Sequence, residues 1–242
     1  MSETVLIPGA RDVRASLDRA VHGTEGWFEA EKSTDAADRT SNAADRASNA
    51  ADRTSNAADR KATGSIVVAC PPDPRQRGHR GDGRLRAVSD VLTARGVDCL
   101  RFDYGAHDDG YGESTDADRA VGWALERYDR VALFGYSFGG CIALVAGTSR
   151  PECVGTCALA PTARLNPDVD AVAALDSPTT PVQVIYGTRD ETAEWRPVVD
   201  RAREVGADVV AVEGDHFFVG QTGTVAEMAA DWLVPRCLGE PR

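Results

Sequence analysis

The stretch Val131-Ala132-Leu133-Phe134-Gly135-Tyr136-Ser137-Phe138-Gly139-Gly140-Cys141-Ile142-Ala143-Leu144-Val145-Ala146 decides how this chain is read. Residues 131–134 are a short apolar run, as in a buried strand, and 140–146 read as a buried helix. Between them lies Gly135-x-Ser137-x-Gly139. A turn that compact would clash with any side chain two positions before or after the serine, and glycine, lacking Cβ, removes the clash. Strand, G-x-S-x-G and helix in succession are the context of a nucleophile elbow. The turn lifts the Ser137 hydroxyl out of the sheet and onto the positive end of the following helix. An ordinary strand-to-helix turn is the plainer alternative, and the rest of the chain has to separate the two.

An elbow serine requires an acid and then a histidine, downstream and in that order. The histidines are His22, His79, His107 and His216, and only His216 follows Ser137. It sits in Gly214-Asp215-His216-Phe217-Phe218, just after the strand-like Asp208-Val209-Val210-Ala211-Val212-Glu213. A base placed there, in a loop at a strand end, can reach a neighbouring loop. Between serine and histidine, Pro181-Val182-Gln183-Val184-Ile185-Tyr186 reads as a strand that ends in Gly187-Thr188-Arg189-Asp190-Glu191. Asp190 is the natural acid and Glu191 the fallback. An aspartate in such a loop is ordinarily a turn residue or a helix N-cap. Its arrival in the required slot favours the trio Ser137, Asp190 and His216.

On these residues the chain resembles the α/β-hydrolases, and its small, uncapped form resembles the dienelactone hydrolase-like proteins and related carboxylesterases. The matching stretches are Ser65-Ile66-Val67-Val68-Ala69-Cys70-Pro71-Pro72, Leu100-Arg101-Phe102-Asp103-Tyr104-Gly105, 135–140, 186–190 and 214–218. They span most of the chain from Ser65 onward. The resemblance implies an α/β-hydrolase fold: a mostly parallel central sheet with helices on both faces. It does not select among esters, thioesters, lactones and amides.

Strand–helix alternation agrees with that fold. A helix is expected over 85–95, a strand over 97–102, a helix over 116–128, a strand over 154–159, and helices over 193–204 and 225–233. Only 20 residues, 161–180, separate two core strands where many relatives insert a cap. They leave room for a short loop and one helical turn, hence an open site without a large cap domain.

The expected chemistry is acyl transfer to water, with Ser137 attacking a carbonyl, His216 taking its proton and Asp190 orienting the imidazole. The oxyanion needs two backbone N–H donors. Phe138, next after the serine, supplies one, and the loop after the 65–70 strand supplies the other. That loop is Pro71-Pro72-Asp73-Pro74-Arg75, in which Asp73 is the nearest residue with an N–H. By resemblance a histidine or glycine would stand there. A carboxylate beside an oxyanion has to point away or be paired, with Arg75, Arg77 or Arg80 at hand. Tyr136 and His107 are the expected substrate contacts, His107 from the loop 105–113 (GAHDDGYGE). Consecutive His107-Asp108-Asp109 cannot easily converge on one ion, so a metal is not expected there; no other cofactor is expected either.

Acidic residues outnumber basic ones 38 to 27, for a net charge of −11. Only Lys32 and Lys61 are lysines. This acidic, arginine-rich, lysine-poor composition resembles that of proteins from salt-loving archaea, and the acidic balance argues against a nucleic-acid partner. The expected partner is a small ester-type substrate. No apolar run reaches the length of a membrane span. The first residues lack a basic start followed by a long apolar stretch, so a cytoplasmic location is expected. The six cysteines are scattered. Cys153 and Cys157, four apart on a strand, would stand about 13 Å apart, too far to share a metal. They read as small buried hydrophobes.

Residues 33–60 are four copies of a seven-residue unit, STDAADR, TSNAADR, ASNAADR and TSNAADR. The expected organisation is one α/β-hydrolase domain over 1–242 that this repeat interrupts, between a strand at 4–8 and the strand at 65–70. The only apolar residues of the unit are alanines, so a coiled-coil seam would lack its Leu, Ile or Val. A solvated arm is expected. Two other readings compete: a catalytically silent scaffold that binds a partner, and a nucleotide-binding protein. The latter needs a G-x-G-x-x-G at the first strand–helix turn, and none is present.

Overall fold

The strand Ser65–Cys70 is buried at every position. Its side chains divide: Ile66, Val68 and Cys70 enter one apolar cluster, Val67 and Ala69 another. A strand that is apolar on both faces belongs inside a sheet covered on both sides. The computed structural model, which describes residues 2–9, 11–20 and 64–239, places it so. The strands are β1 (Ser2–Ile7), β2 (Val13–Asp18), β3 (Ser65–Cys70), β4 (Asp98–Asp103), β5 (Arg130–Tyr136), β6 (Cys153–Leu159), β7 (Val182–Gly187) and β8 (Asp208–Val212). They form one eight-stranded sheet in the order β1-β2-β4-β3-β5-β6-β7-β8. The pairings from β4 through β8 are parallel.

Helices α2 (Tyr111–Leu125), α3 (Phe138–Thr148), the single turn α4 (Ala171–Ala174) and α5 (Arg196–Glu204) cover one face. Helices α1 (Gly83–Ala94) and α6 (Thr222–Leu238) cover the other. In α1 the buried Leu85, Val88, Ser89 and Leu92 recur at helical spacing, and the Asp82 carboxylate caps the first turn by accepting from Arg84 N at 2.8 Å. α4 is the only helix between β6 and β7, so that connection inserts no cap domain.

The structure departs most from the sequence reading in three places. β2 is a strand that reading lacked. It pairs antiparallel with β1 and with β4, and Val13, Ala15 and Leu17 are buried while Arg14 is exposed and Ser16 and Asp18 are half-buried on the opposite face. This period of two was legible but short. The repeat 33–60, which lies outside the described residues, therefore falls between β2 and β3. Helix α2 begins at Tyr111 rather than at residue 116, because the buried Glu113 carboxylate caps it. Glu113 accepts from Gly110 N at 2.9 Å and Asp108 N at 3.1 Å. Helix α6 continues past 233 to Leu238 and carries Pro235 within it.

All six cysteines are buried and unpaired. Burial pushes the Cys141 thiol up to about 12 and the Cys153 thiol up to about 11, so both stay protonated near neutrality. No described helix is long and apolar enough to cross a membrane.

Parallel register decides where the loops meet. Cys70 lies opposite Gly135, Tyr136 opposite Leu159, and Gly187 opposite Val212. The carboxyl ends of β3, β5, β7 and β8 thus finish along one edge, where ligands bind in open α/β sheets.

Candidate active site

The elbow is built as its glycines require. Ser137 has φ 58° and ψ −119°, a left-handed conformation that is costly for a residue with a side chain. Such strain, on the order of 1–3 kcal/mol, survives only when the surroundings enforce it. Here Ser137 N donates to Leu159 O at 2.9 Å and Gly140 N to Ser137 O at 2.8 Å. A Cβ on Gly135 would overlap the Gly139 carbonyl oxygen. A Cβ on Gly139 would overlap the carbonyl oxygens of Cys70 and Pro71. Gly139 therefore allows the elbow and the loop after β3 to touch.

The three residues expected to act together do meet. His216 Nδ1 lies 2.7 Å from Asp190 Oδ2, and His216 Nε2 lies 2.9 Å from Ser137 Oγ. With Asp190 ionised, Nδ1 carries the proton and Nε2 is left to accept from the serine hydroxyl. Asp190 and His216 are both buried. Burial alone would raise the Asp190 carboxyl. The hydrogen bond from His216 and those from Ala193 N (3.0 Å) and Thr192 N (2.8 Å) outweigh it, and hold Asp190 below the usual carboxylate range. Glu191, the fallback acid, is exposed and makes no contact with His216.

Two aromatic residues fix this arrangement. Trp195 donates Nε1–H to the Asp190 carbonyl at 2.9 Å and stacks on Tyr186, with centroids 4.5 Å apart. Nothing local in the sequence marks Trp195 for that task. Tyr136 lines the cleft as expected, but its hydroxyl donates to the His216 carbonyl at 3.0 Å. It supports the histidine loop as well as facing the open space.

Ser137, Phe138, His216 and Asp73 line a cleft of about 310 Å3, together with Tyr136 and Phe217. The Phe138 N–H, at the first position of α3, has no carbonyl within its own helix to bond. The Asp73 carboxylate is turned back into its own loop, accepting from Arg75 N at 2.8 Å and pairing with Arg75 Nη2 at 2.9 Å. Burial would raise this carboxyl too, but its bonds from Arg75 hold it low. Of the three arginines available, Arg75 is the partner, while Arg80 pairs with Asp103. His107 does not line the cleft. Its Nδ1 meets the buried Glu113 at 2.7 Å and its Nε2 meets Asp109 at 3.0 Å, so both ring nitrogens are taken. The expected contact with substrate is replaced by a role in holding the start of α2.

No family model matches the chain, and no curated protein does. Solved structures match over nearly its whole length. A protein of unknown function from Agrobacterium tumefaciens superposes with TM-score 0.71 at 19% identity, over 99% of this chain and 100% of that one. An α/β serine hydrolase without a lid from Xanthomonas campestris gives 0.67 at 18%, over 97% and 94%. A dienelactone hydrolase from Anabaena variabilis gives 0.62 at 20%, over 96% of each. At these identities the likeness is one of fold: the chain has the α/β-hydrolase fold, in its lidless form.

Proposed function

We propose that this protein is a serine hydrolase that cleaves a small carboxylic ester, thioester or lactone through an acyl-enzyme. The observation that carries the reading is the buried His216, held between Asp190 at 2.7 Å and Ser137 at 2.9 Å on a strained elbow. Ser137 Oγ attacks the carbonyl carbon as His216 Nε2 takes its proton, and Asp190 stabilises the imidazolium. The tetrahedral oxyanion is received by the N–H groups of Phe138 and Asp73, and the Arg75 pairing keeps the Asp73 charge turned away. His216 returns the proton to the leaving group, then activates the water that releases the acid. Structural likeness to proteins named as serine and dienelactone hydrolases supports the class of reaction. The open, lidless cleft suits small or flexible substrates. The acidic, lysine-poor composition suits work in concentrated salt, in the cytoplasm.

The test is labelling with a fluorophosphonate probe, alongside hydrolysis of a short-chain p-nitrophenyl ester. Wild-type protein should label at Ser137 and turn over. Ser137→Ala should do neither while keeping its fold, and His216→Ala should lose about as much activity. A folded wild type that neither labels nor hydrolyses would instead leave a silent scaffold.

A further inference from the structure

The molecule carries a net charge of −11, yet the wall of its cleft is basic: Arg75, Arg77, Arg84 and Arg164 against Asp73 and Asp82. Three of these guanidiniums are already matched. Arg75 pairs with Asp73 at 2.9 Å, Arg84 pairs with Asp82 and lies 4.4 Å from the centroid of the Tyr136 ring, and Arg164 Nε meets Asp170 at 2.6 Å. Arg77 is different. It is exposed, and its guanidinium has neither an ion pair nor a hydrogen bond among the described residues. It also occupies the left-handed C-cap of the 3-10 turn Pro74–Gln76, at φ 63° and ψ 24°, a place where glycine costs least. A costly backbone state thus holds an unmatched cation at the wall of the cleft that contains Ser137.

Resting on the ester-cleaving reading, we infer that the substrate bears an anionic group, a carboxylate or a phosphate, and that Arg77 is the residue that selects it. The guanidinium fork suits either oxyanion in two-point contact. The acidic surface as a whole repels an anion. Fields fade within about 10 Å at 0.1 M salt, however, so inside the cleft the local arginines prevail. Arg77 touches no member of the Ser137–His216–Asp190 set, so its effect falls on which ester binds and not on the bond-breaking step.

The experiment compares mono-p-nitrophenyl glutarate with its methyl-capped, neutral analogue in wild type, Arg77→Gly and Arg77→Lys. Glycine suits the left-handed position, so Arg77→Gly should melt no lower than wild type. The wild type should favour the carboxylate ester by about tenfold or more in kcat/KM, the amount a charge-assisted contact provides. Arg77→Gly should bring that ratio close to one, through KM rather than kcat. Arg77→Lys should keep an intermediate ratio, and added KCl should lower the wild-type ratio. Competition by glutarate against competition by inorganic phosphate tells the two oxyanions apart. A wild-type ratio near one, or a ratio unmoved in Arg77→Gly, overturns the inference while leaving hydrolysis standing. If neither ester is cleaved, calorimetric binding of the same two esters decides. Selective binding of the anion that is lost in Arg77→Gly upholds the inference and sinks only the hydrolase reading. Equal binding of both esters sinks the inference.

Discussion

Asp190→Asn is the sharpest probe of the site, because the carboxylate has two separable tasks. Oδ1 accepts the N–H groups of Thr192 at 2.8 Å and Ala193 at 3.0 Å. Oδ2 accepts from His216 Nδ1 at 2.7 Å. An asparagine retains Oδ1 for the first task and presents an NH2 group for the second. Nδ1 can meet that donor only as an acceptor, which moves the ring proton to Nε2, where it blocks acceptance from Ser137 Oγ. Activity should therefore fall by roughly 10^4 in kcat, the scale of a wrong-tautomer defect in a triad. The fold should survive. Replacing a charge-assisted hydrogen bond by a neutral one costs about 1–2 kcal/mol, which lowers Tm by roughly 2–8 °C for a chain of this size. The pH dependence has a defined sign. Asp190 is held below its usual range, so its contribution is present above the unfolded carboxyl value near 4 and is lost as pH falls through the folded value. The gap in Tm between wild type and Asp190→Asn should thus be widest near neutrality and close in acid. Initial rates on a short-chain p-nitrophenyl ester and thermal melts from pH 3 to about pH 8 provide both readouts. Glu191→Gln, which alters an exposed side chain, serves as the control and should leave the rate within about twofold. An Asp190→Asn protein that keeps more than about a tenth of wild-type activity would refute the assignment.

Gly139→Ala would drive a Cβ into the carbonyl oxygens of Cys70 and Pro71, so it should cost several kcal/mol or displace the elbow. Circular dichroism melts and probe labelling would report which, and a variant with wild-type Tm and labelling would contradict the packing. Stability should rise with KCl from tens of millimolar toward about 1 M as self-repulsion of the −11 charge is screened, and sulfate should add an anion-dependent increment. A midpoint that stays flat or falls with KCl would end the high-salt reading and leave the catalytic one intact. Deleting residues 33–60, whose unit contains no large apolar side chain, should move Tm by only a few degrees and leave kcat/KM nearly unchanged; loss of folding would show that the repeat packs.

Much of the fold was legible because its signals are local. Glycines flanking Ser137, a two-sided apolar run at 65–70 and helical spacing at Leu85, Val88 and Leu92 each act within a few residues. Boundaries were less legible. β2 is six residues long, and its alternation takes on meaning only from its pairing between β1 and β4. The start of α2 depends on Glu113, whose carboxylate reaches back to cap the turn before it.

By itself the sequence determined the elbow, the order serine–acid–histidine and the alternation that makes a two-sided parallel sheet. All three follow from backbone sterics and side-chain period, which neighbouring residues set. Tertiary structure alone decided the rest. It chose Asp190 over Glu191, because only one of two adjacent carboxylates can face a histidine 26 positions away. It turned the Asp73 charge onto Arg75, closed His107 between Glu113 and Asp109, and committed the Tyr136 hydroxyl to the His216 carbonyl 80 positions on. It also left Arg77, among the arginines lining the cleft, without a carboxylate partner among the described residues. Hydrogen bonds and ion pairs act over about 3 Å and depend on direction. Which groups pair is therefore settled by the packing of distant strands, and spacing along the chain does not encode it.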